Sequence, residues 1–317
     1  MDLVEEVLAG RFQAIARLIR QVEDEPLQAR PLLKQLYPHT GRAYLIGLTG
    51  SPGVGKSSLV DRLIARFREE GKTVAVVAVD PTSPFSGGAV LGDRVRMQKH
   101  ATDPGVFIRS LATRGAFGGL TPAAKGVSQV LDAAGFEVIL IETVGVGQDE
   151  VDVVRLAMTT LVLTVPGLGD DVQAIKAGLM EIADIMVVNK ADRPGAEQTV
   201  QELKAMLEMN KLLGRKEAWP PRLVAISART GQGLDQLAAL LAEHKRFLTQ
   251  DHPEILAEKN RGHLTDLVLD LVKEQIVRQT QAVLDDNPAW ETKLDEVLAR
   301  RLDPYTLAEE LLEEKTA

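Results

Sequence analysis

Gly50-Ser51-Pro52-Gly53-Val54-Gly55-Lys56-Ser57 fits the pattern G-x-x-x-x-G-K-[ST] without a mismatch. The chemistry open to such a run is the holding of a polyphosphate. Glycines let successive backbone N–H groups converge on one anion, and a helix starting directly after them aims its positive end at the same point. Lys56 has the charge and reach to act on the outer phosphates, and the Ser57 hydroxyl is a hard oxygen ligand for Mg²⁺. Ser58 completes the cradle. Glycine-rich turns also occur where nothing binds, so the context decides. Here an apolar run, Ala43 to Thr49, precedes the loop, and Leu59, Leu63, Ile64 and Phe67 follow at helical spacing. Strand, glycine turn and helix are what a phosphate cradle needs.

Three further groups add to this chemistry. Asn189-Lys190-Ala191-Asp192 fits N-K-x-D at the end of an apolar run. A carboxylate there accepts from guanine N1–H and its exocyclic amine, donors that adenine does not offer in that arrangement. Ser227-Ala228-Arg229 follows the next apolar run and fits a loop whose backbone N–H reaches guanine O6. Glu142-Thr143-Val144-Gly145 stands where many nucleotide hydrolases carry Asp-x-x-Gly, so Glu142 can hold Mg²⁺ from one methylene farther back. Lys56 and Glu142 are therefore the expected catalytic pair. Asp80, at a strand end, is well placed for the magnesium shell, whereas Asp93 on local grounds serves equally as a helix cap.

The elements that must position these groups alternate. Strands are predicted at about 43–49, 73–79, 106–109, 138–141, 161–165, 185–188 and 223–226. Helices follow the phosphate loop and occupy about 93–99, the stretch ending near 133, 171–182, 197–212 and 233–247. Residues 82–92 and 113–119 are glycine-containing loops. Regular alternation predicts an α/β fold with a doubly wound, mostly parallel sheet. The expected organisation is a helical N-terminal extension over 1–42, a nucleotide domain over 43–250 and a helical arm over 251–317. In the extension one helical face runs through residues 2–20, weakened at Gly10, and a short helix covers about 32–36. The extension is expected to cover a sheet edge. The arm reads as helices 254–280, 289–300 and 305–315, with Leu264, Leu267, Val268, Leu271 and Val272 on one stripe.

A formal net charge of −8 over 317 residues argues against non-specific binding to nucleic acid or to an anionic membrane. No apolar run approaches the roughly 20 residues of a membrane span. The acidic N-terminus looks like neither a secretory signal nor a transit peptide, and with no cysteine there are neither disulfides nor thiolate metal sites. A cytoplasmic protein is the expectation. The histidines, His39, His100, His244, His252 and His263, are scattered without ligand-like spacing.

Taken together, the motifs resemble the MeaB/ArgK family of P-loop GTPases, which carries Glu in the third motif. The likeness rests on the phosphate loop, Val79-Asp80-Pro81-Thr82-Ser83-Pro84, Ser86-Gly87-Gly88-Ala89-Val90-Leu91-Gly92-Asp93-Arg94, Arg114-Gly115, Glu142 to Gln148, and Asn189 to Asp192. It implies a homodimeric GTPase chaperone that gates adenosylcobalamin loading and protection of an acyl-CoA mutase such as methylmalonyl-CoA mutase. Cobalamin itself is not expected on this chain, and a cobalamin adenosyltransferase is raised as a further partner. The resemblance assigns Mg²⁺ roles to Ser57, Asp80, Asp93 and Glu142, which turns the local reading of Asp93 around. It also marks 167–178, with Gln173 and Lys176, as a switch that couples nucleotide state to the partner, beside Gln148 in the third motif. Two departures predict slow intrinsic hydrolysis accelerated by a partner: Ser51 stands where some dimeric relatives carry a second lysine, and Val146 where many GTPases carry Gln. The alternatives are an ATPase or kinase linked to amino-acid transport and a nickel-inserting GTPase.

Overall fold

The computed structural model describes residues 2–81, 98–100, 102–113, 121–143, 156–167, 182–212, 218–285 and 289–313. Asp93, Gln148, Gln173 and Lys176, the loops 82–92 and 114–119, most of the expected helices 93–99 and 171–182, and the Asp80 side chain lie outside the described residues.

The chain begins with α1 (Leu3–Leu8), α2 (Phe12–Asp24) and α3 (Pro26–Leu36). Strand β1 (Tyr44–Thr49) leads into α4 (Lys56–Glu69), then β2 (Val74–Pro81), β3 (Val106–Thr113), α5 (Thr121–Ala133) and β4 (Val138–Thr143). The order continues with β5 (Thr159–Thr164), β6 (Ile185–Val188), α6 (Ala196–Leu212), β7 (Arg222–Ala225) and α7 (Leu234–Arg246). Among the described residues these strands form one seven-stranded sheet in the order β3-β2-β4-β1-β5-β6-β7, and every pairing is parallel. Strand β1 is central, flanked by β4 and β5, so the loop leaving its C-terminal end opens at the point where the winding reverses.

The strands are apolar on both faces because both are covered. Along β2, Val74 and Val76 join the core beneath α4 and α7, while Ala75, Val77 and Val79 join that beneath α5. Ile139 and Ile141 of β4 share the second core, and Val138 and Leu140 the first. A third cluster, with Met186, Val188 and Leu203, seats α6 on the far strands. Fully burying aliphatic side chains of this kind contributes about 1.5–3 kcal/mol each, which fixes the strand ends that carry the motifs.

Two N-terminal expectations need correction. The helical face over 2–20 is two helices, because Gly10 takes a φ of +69° and ends α1 instead of only weakening it. The short helix expected over 32–36 is the full α3, with Pro26 in its first turn and Pro31 inside it. These helices pack with α5 on one sheet face at its β3 side, where Phe12 meets Phe107 edge-on at 5.5 Å and Glu23 pairs with Arg109. Strand β3 also runs four residues beyond its expected end at Arg109, paired to Thr113 along β2.

The chain divides into two compact units, Met1–Lys259 and Asn260–Ala317. A π-helical turn over Phe247–Asp251 precedes α8 (Pro253–Asp285), which runs into the second unit, followed by α9 (Ala289–Leu298) and α10 (Pro304–Glu313). Within the second unit Lys293 of α9 pairs with Glu310 of α10 at 2.8 Å, and Asp303 caps α10 by accepting from the Tyr305 and Thr306 N–H groups. Among the described residues no helix is long and apolar enough to cross a membrane.

Candidate nucleotide site

The loop between β1 and α4 takes its shape from glycine. Gly50 has a φ of +138°, and a Cβ there would collide with the carbonyl oxygen of Leu163 in β5. Gly55 has a φ of +95°, and its missing Cβ leaves room for the Asn189 amide, which would otherwise stand 2.5 Å away. The cradle is thus pressed against the strand ends that carry the other motifs. Val54 is buried, while Pro52, Gly53 and Ser58 face solvent. Lys56 is buried at the start of α4, and its ammonium donates to the carbonyls of Gly50 and, at 3.2 Å, of Ser51.

Ser57 and Glu142 come together in the fold. The serine hydroxyl donates to Glu142 Oε1 at 2.7 Å, and both side chains are buried. Glu142 is the fifth residue of β4, with Thr143 after it, so the carboxylate projects from inside the strand. In the register of β2 on β4, Ala78 pairs with Glu142. The backbone of Asp80, two residues farther on, therefore lies at this same end of the sheet.

Asn189 joins the base motif to the phosphate loop. Its side chain, 2% exposed, donates from Nδ2 to the Val54 carbonyl at 2.8 Å and accepts at Oδ1 from the N–H groups of Lys190 (2.8 Å) and Ala228 (3.1 Å). Lys190, held at a φ of +57°, reaches over to donate to the Gly53 carbonyl at 2.7 Å. Asp192 receives the Arg229 guanidinium at 2.8 Å. The Ser227 hydroxyl, and after it Arg229, hold the Asp192 carboxyl down to about 2, so it is ionised at neutral pH. Ser227, Ala228 and Arg229 form a turn closed by Gly231 N–H to the Ser227 carbonyl at 2.8 Å.

Two residues gave no sign of their contacts in the sequence. Arg62, on the second turn of α4, donates from Nε to the Ala228 carbonyl (2.7 Å) and from Nη2 to the Arg229 carbonyl (2.8 Å). Its neighbour Asp61 takes Lys99 at 2.6 Å and His100 at 3.1 Å, fastening residues 98–100 to the same helix. A lone arginine or aspartate on an amphipathic helix has no motif, so only the fold reveals these partners. The histidines stay apart: His100 meets Asp61, His244 meets Thr159 and His252 meets Glu254.

A parallel doubly wound sheet with this loop on its central strand, and an N-K-x-D strand end bonded to that loop, is the fold and site of a P-loop GTPase. Residues 15–285 match the family described as Methylmalonyl Co-A mutase-associated GTPase MeaB, and the chain belongs to that family. It is similar to a Pyrococcus horikoshii protein that carries a GTPase name, PH0274, with 49% identity over 312 residues, covering 98% of this chain and 97% of that one. It is similar also to GTPase ArgK of Escherichia coli, 38% identical over 219 residues, 69% of this chain and 66% of the relative. The mouse Methylmalonic aciduria type A homolog, mitochondrial, is 32% identical over 277 residues, 85% of this chain and 65% of that protein. Among solved structures, that of the LAO/AO transport system kinase superposes with a TM-score of 0.71 at 26% identity, covering 99% of this chain and 97% of that one. The enzyme is a GTPase, and GTP is its substrate.

Proposed function

We propose that this GTPase is a nucleotide-gated chaperone of an adenosylcobalamin-dependent acyl-CoA mutase, of the methylmalonyl-CoA mutase kind named in its family's description. The observation that carries the nucleotide half is the bonding of Asn189 and Lys190 to Val54 and Gly53, which sets the base motif and the phosphate cradle at one distance. Guanine N1–H and the exocyclic amine would replace Arg229 and Ser227 on Asp192. The triphosphate would draw Lys56 from the loop carbonyls it now meets.

The residues present fit a magnesium ion. The contact between the Ser57 hydroxyl and the Glu142 carboxylate brings two hard oxygen donors together in a buried place. Ser57 and Glu142 would hold the ion, with Asp80 and Asp93 completing the shell, and Mg²⁺ would neutralise charge on the outer phosphates. Around it, the cradle orients the phosphates, Lys56 stabilises negative charge that builds on them, and the buried strand ends exclude water. Gln148, Gln173 and Lys176 are proposed to report the nucleotide state to the mutase.

The arm carries the proposed dimer contact. On α8, Leu264, Val268 and Val272, spaced one turn apart, are 44%, 56% and 48% exposed on the chain. A cobalamin adenosyltransferase would be the source of loaded cofactor. The test is GTP turnover with and without a methylmalonyl-CoA mutase, together with pull-down of that mutase in the GTP and GDP states. Accelerated turnover and a nucleotide-dependent complex are expected. No complex in either state would defeat the chaperone reading. The name of the solved transport-system kinase favours a second reading, in which ATP is used; ATP bound as tightly as GTP would support it.

A further inference from the structure

Arg62 lies on the helix that begins in the phosphate loop, yet its guanidinium is directed at the other end of the site. It grips two consecutive carbonyls, those of Ala228 at 2.7 Å and Arg229 at 2.8 Å. Residue Ala228 is thereby held through both of its flanking peptides: its N–H donates to Asn189 Oδ1 at 3.1 Å, and its C=O accepts from Arg62. Asn189 is itself fixed on Val54 of the cradle at 2.8 Å. Phosphate loop, α4, Arg62 and the Ser227–Arg229 turn therefore form a closed ring of contacts through Asn189. A planar fork with fixed donor directions suits this task, and lysine, a single point donor, does not.

We propose that Arg62 is a positioning residue for purine discrimination, holding the turn that reads guanine O6 in register with the phosphate cradle. The proposal rests on the nucleotide reading above. Arg62 directs its fork at these two backbone carbonyls. It acts by keeping the backbone of Ala228 and Arg229 where an O6 acceptor will find an N–H. Without it the turn loses its tie to α4 and keeps its Asn189 bond, its contacts with Asp192 through Ser227 and Arg229, and its internal closure by Gly231. The loss then falls on nucleotides that use O6 and spares those that do not.

The experiment compares wild type with Arg62→Gln and Arg62→Lys in the full chain. Affinities are measured for GTP and for 6-thioguanosine triphosphate, whose sulfur is a poor acceptor at the O6 position, and kcat and KM are measured for GTP. Wild type is expected to prefer GTP. Arg62→Gln should weaken GTP by about tenfold, the worth of one well-made hydrogen bond, and leave the thio analogue within about twofold, so that the preference collapses. KM should rise with kcat unchanged, because the phosphate end is untouched. Arg62→Lys, which keeps the charge and the helix, should fall between the two, and it supplies the same readout should the glutamine variant not fold. Equal loss for both nucleotides would mean a merely structural role and overturn the proposal, as would an unchanged preference. A wild-type protein that failed to prefer GTP would instead bring down the nucleotide reading on which the proposal stands.

Discussion

Replacing Asn189 by alanine probes the joint between the two halves of the site. The side chain is 2% exposed and makes three bonds: to the Val54 carbonyl at 2.8 Å, from Lys190 N–H at 2.8 Å and from Ala228 N–H at 3.1 Å. Each is worth about 1 kcal/mol net, and backbone groups left unpaired in a buried place push the cost upward, so we predict a loss of about 3 kcal/mol. For a unit of this size that lowers Tm by roughly 6–12 °C. The same change frees the Ser227–Arg229 turn and the cradle from one another. GTP affinity should then fall at least about tenfold, as the site pays for ordering on binding. Calorimetric or circular-dichroism melting of the nucleotide-free protein reads the first effect, and titration with a fluorescent GTP analogue reads the second. A Tm within about 2 °C of wild type, with unchanged affinity, would refute the reasoning that Asn189 is the joint.

Three other predictions follow from the same structure. Lys56→Ala should abolish tight GTP binding while leaving the fold intact, checked by equilibrium titration beside a melting curve; undiminished affinity would count against the cradle. Asp192→Asn should weaken GTP roughly 30-fold or more and improve xanthosine triphosphate, whose C2 carbonyl meets the new amide N–H group, as read by competition binding. His244 is buried against Thr159 and Asp184, with Lys259 and Glu243 nearby, and burial first of all holds its pKa below 6.5. The unfolded chain therefore takes up the proton first on acidification. Stability is full above about pH 7 and is lost as pH falls through 6.5, by up to about 1.4 kcal/mol per pH unit. Melting temperature measured from pH 8 to 5 should show this fall, and His244→Gln should flatten it.

How much was legible can be judged from particular residues. The loop Gly50–Ser57 and the motif Asn189–Asp192 were readable because backbone approach to phosphate and carboxylate recognition of guanine each demand fixed residue types at fixed spacing. The strands were readable because a sheet covered on both faces requires continuous apolar runs. The break at Gly10 and the long α3 were not, because a positive φ and a proline tolerated within a helix depend on what packs around them.

What the sequence determined by itself, then, was chemistry that is local in the chain: a phosphate cradle, a base-reading carboxylate, and the alternation that places both at strand ends. The tertiary structure decided which of these parts hold one another. That Ser57 meets Glu142 across 85 residues, that Asn189 stands on Val54, and that Arg62 reaches the carbonyls of Ala228 and Arg229 are consequences of strand order and helix rotation. Such partners share no spacing in sequence. They are chosen by a buried sheet that brings distant strand ends together and leaves their polar groups to find each other.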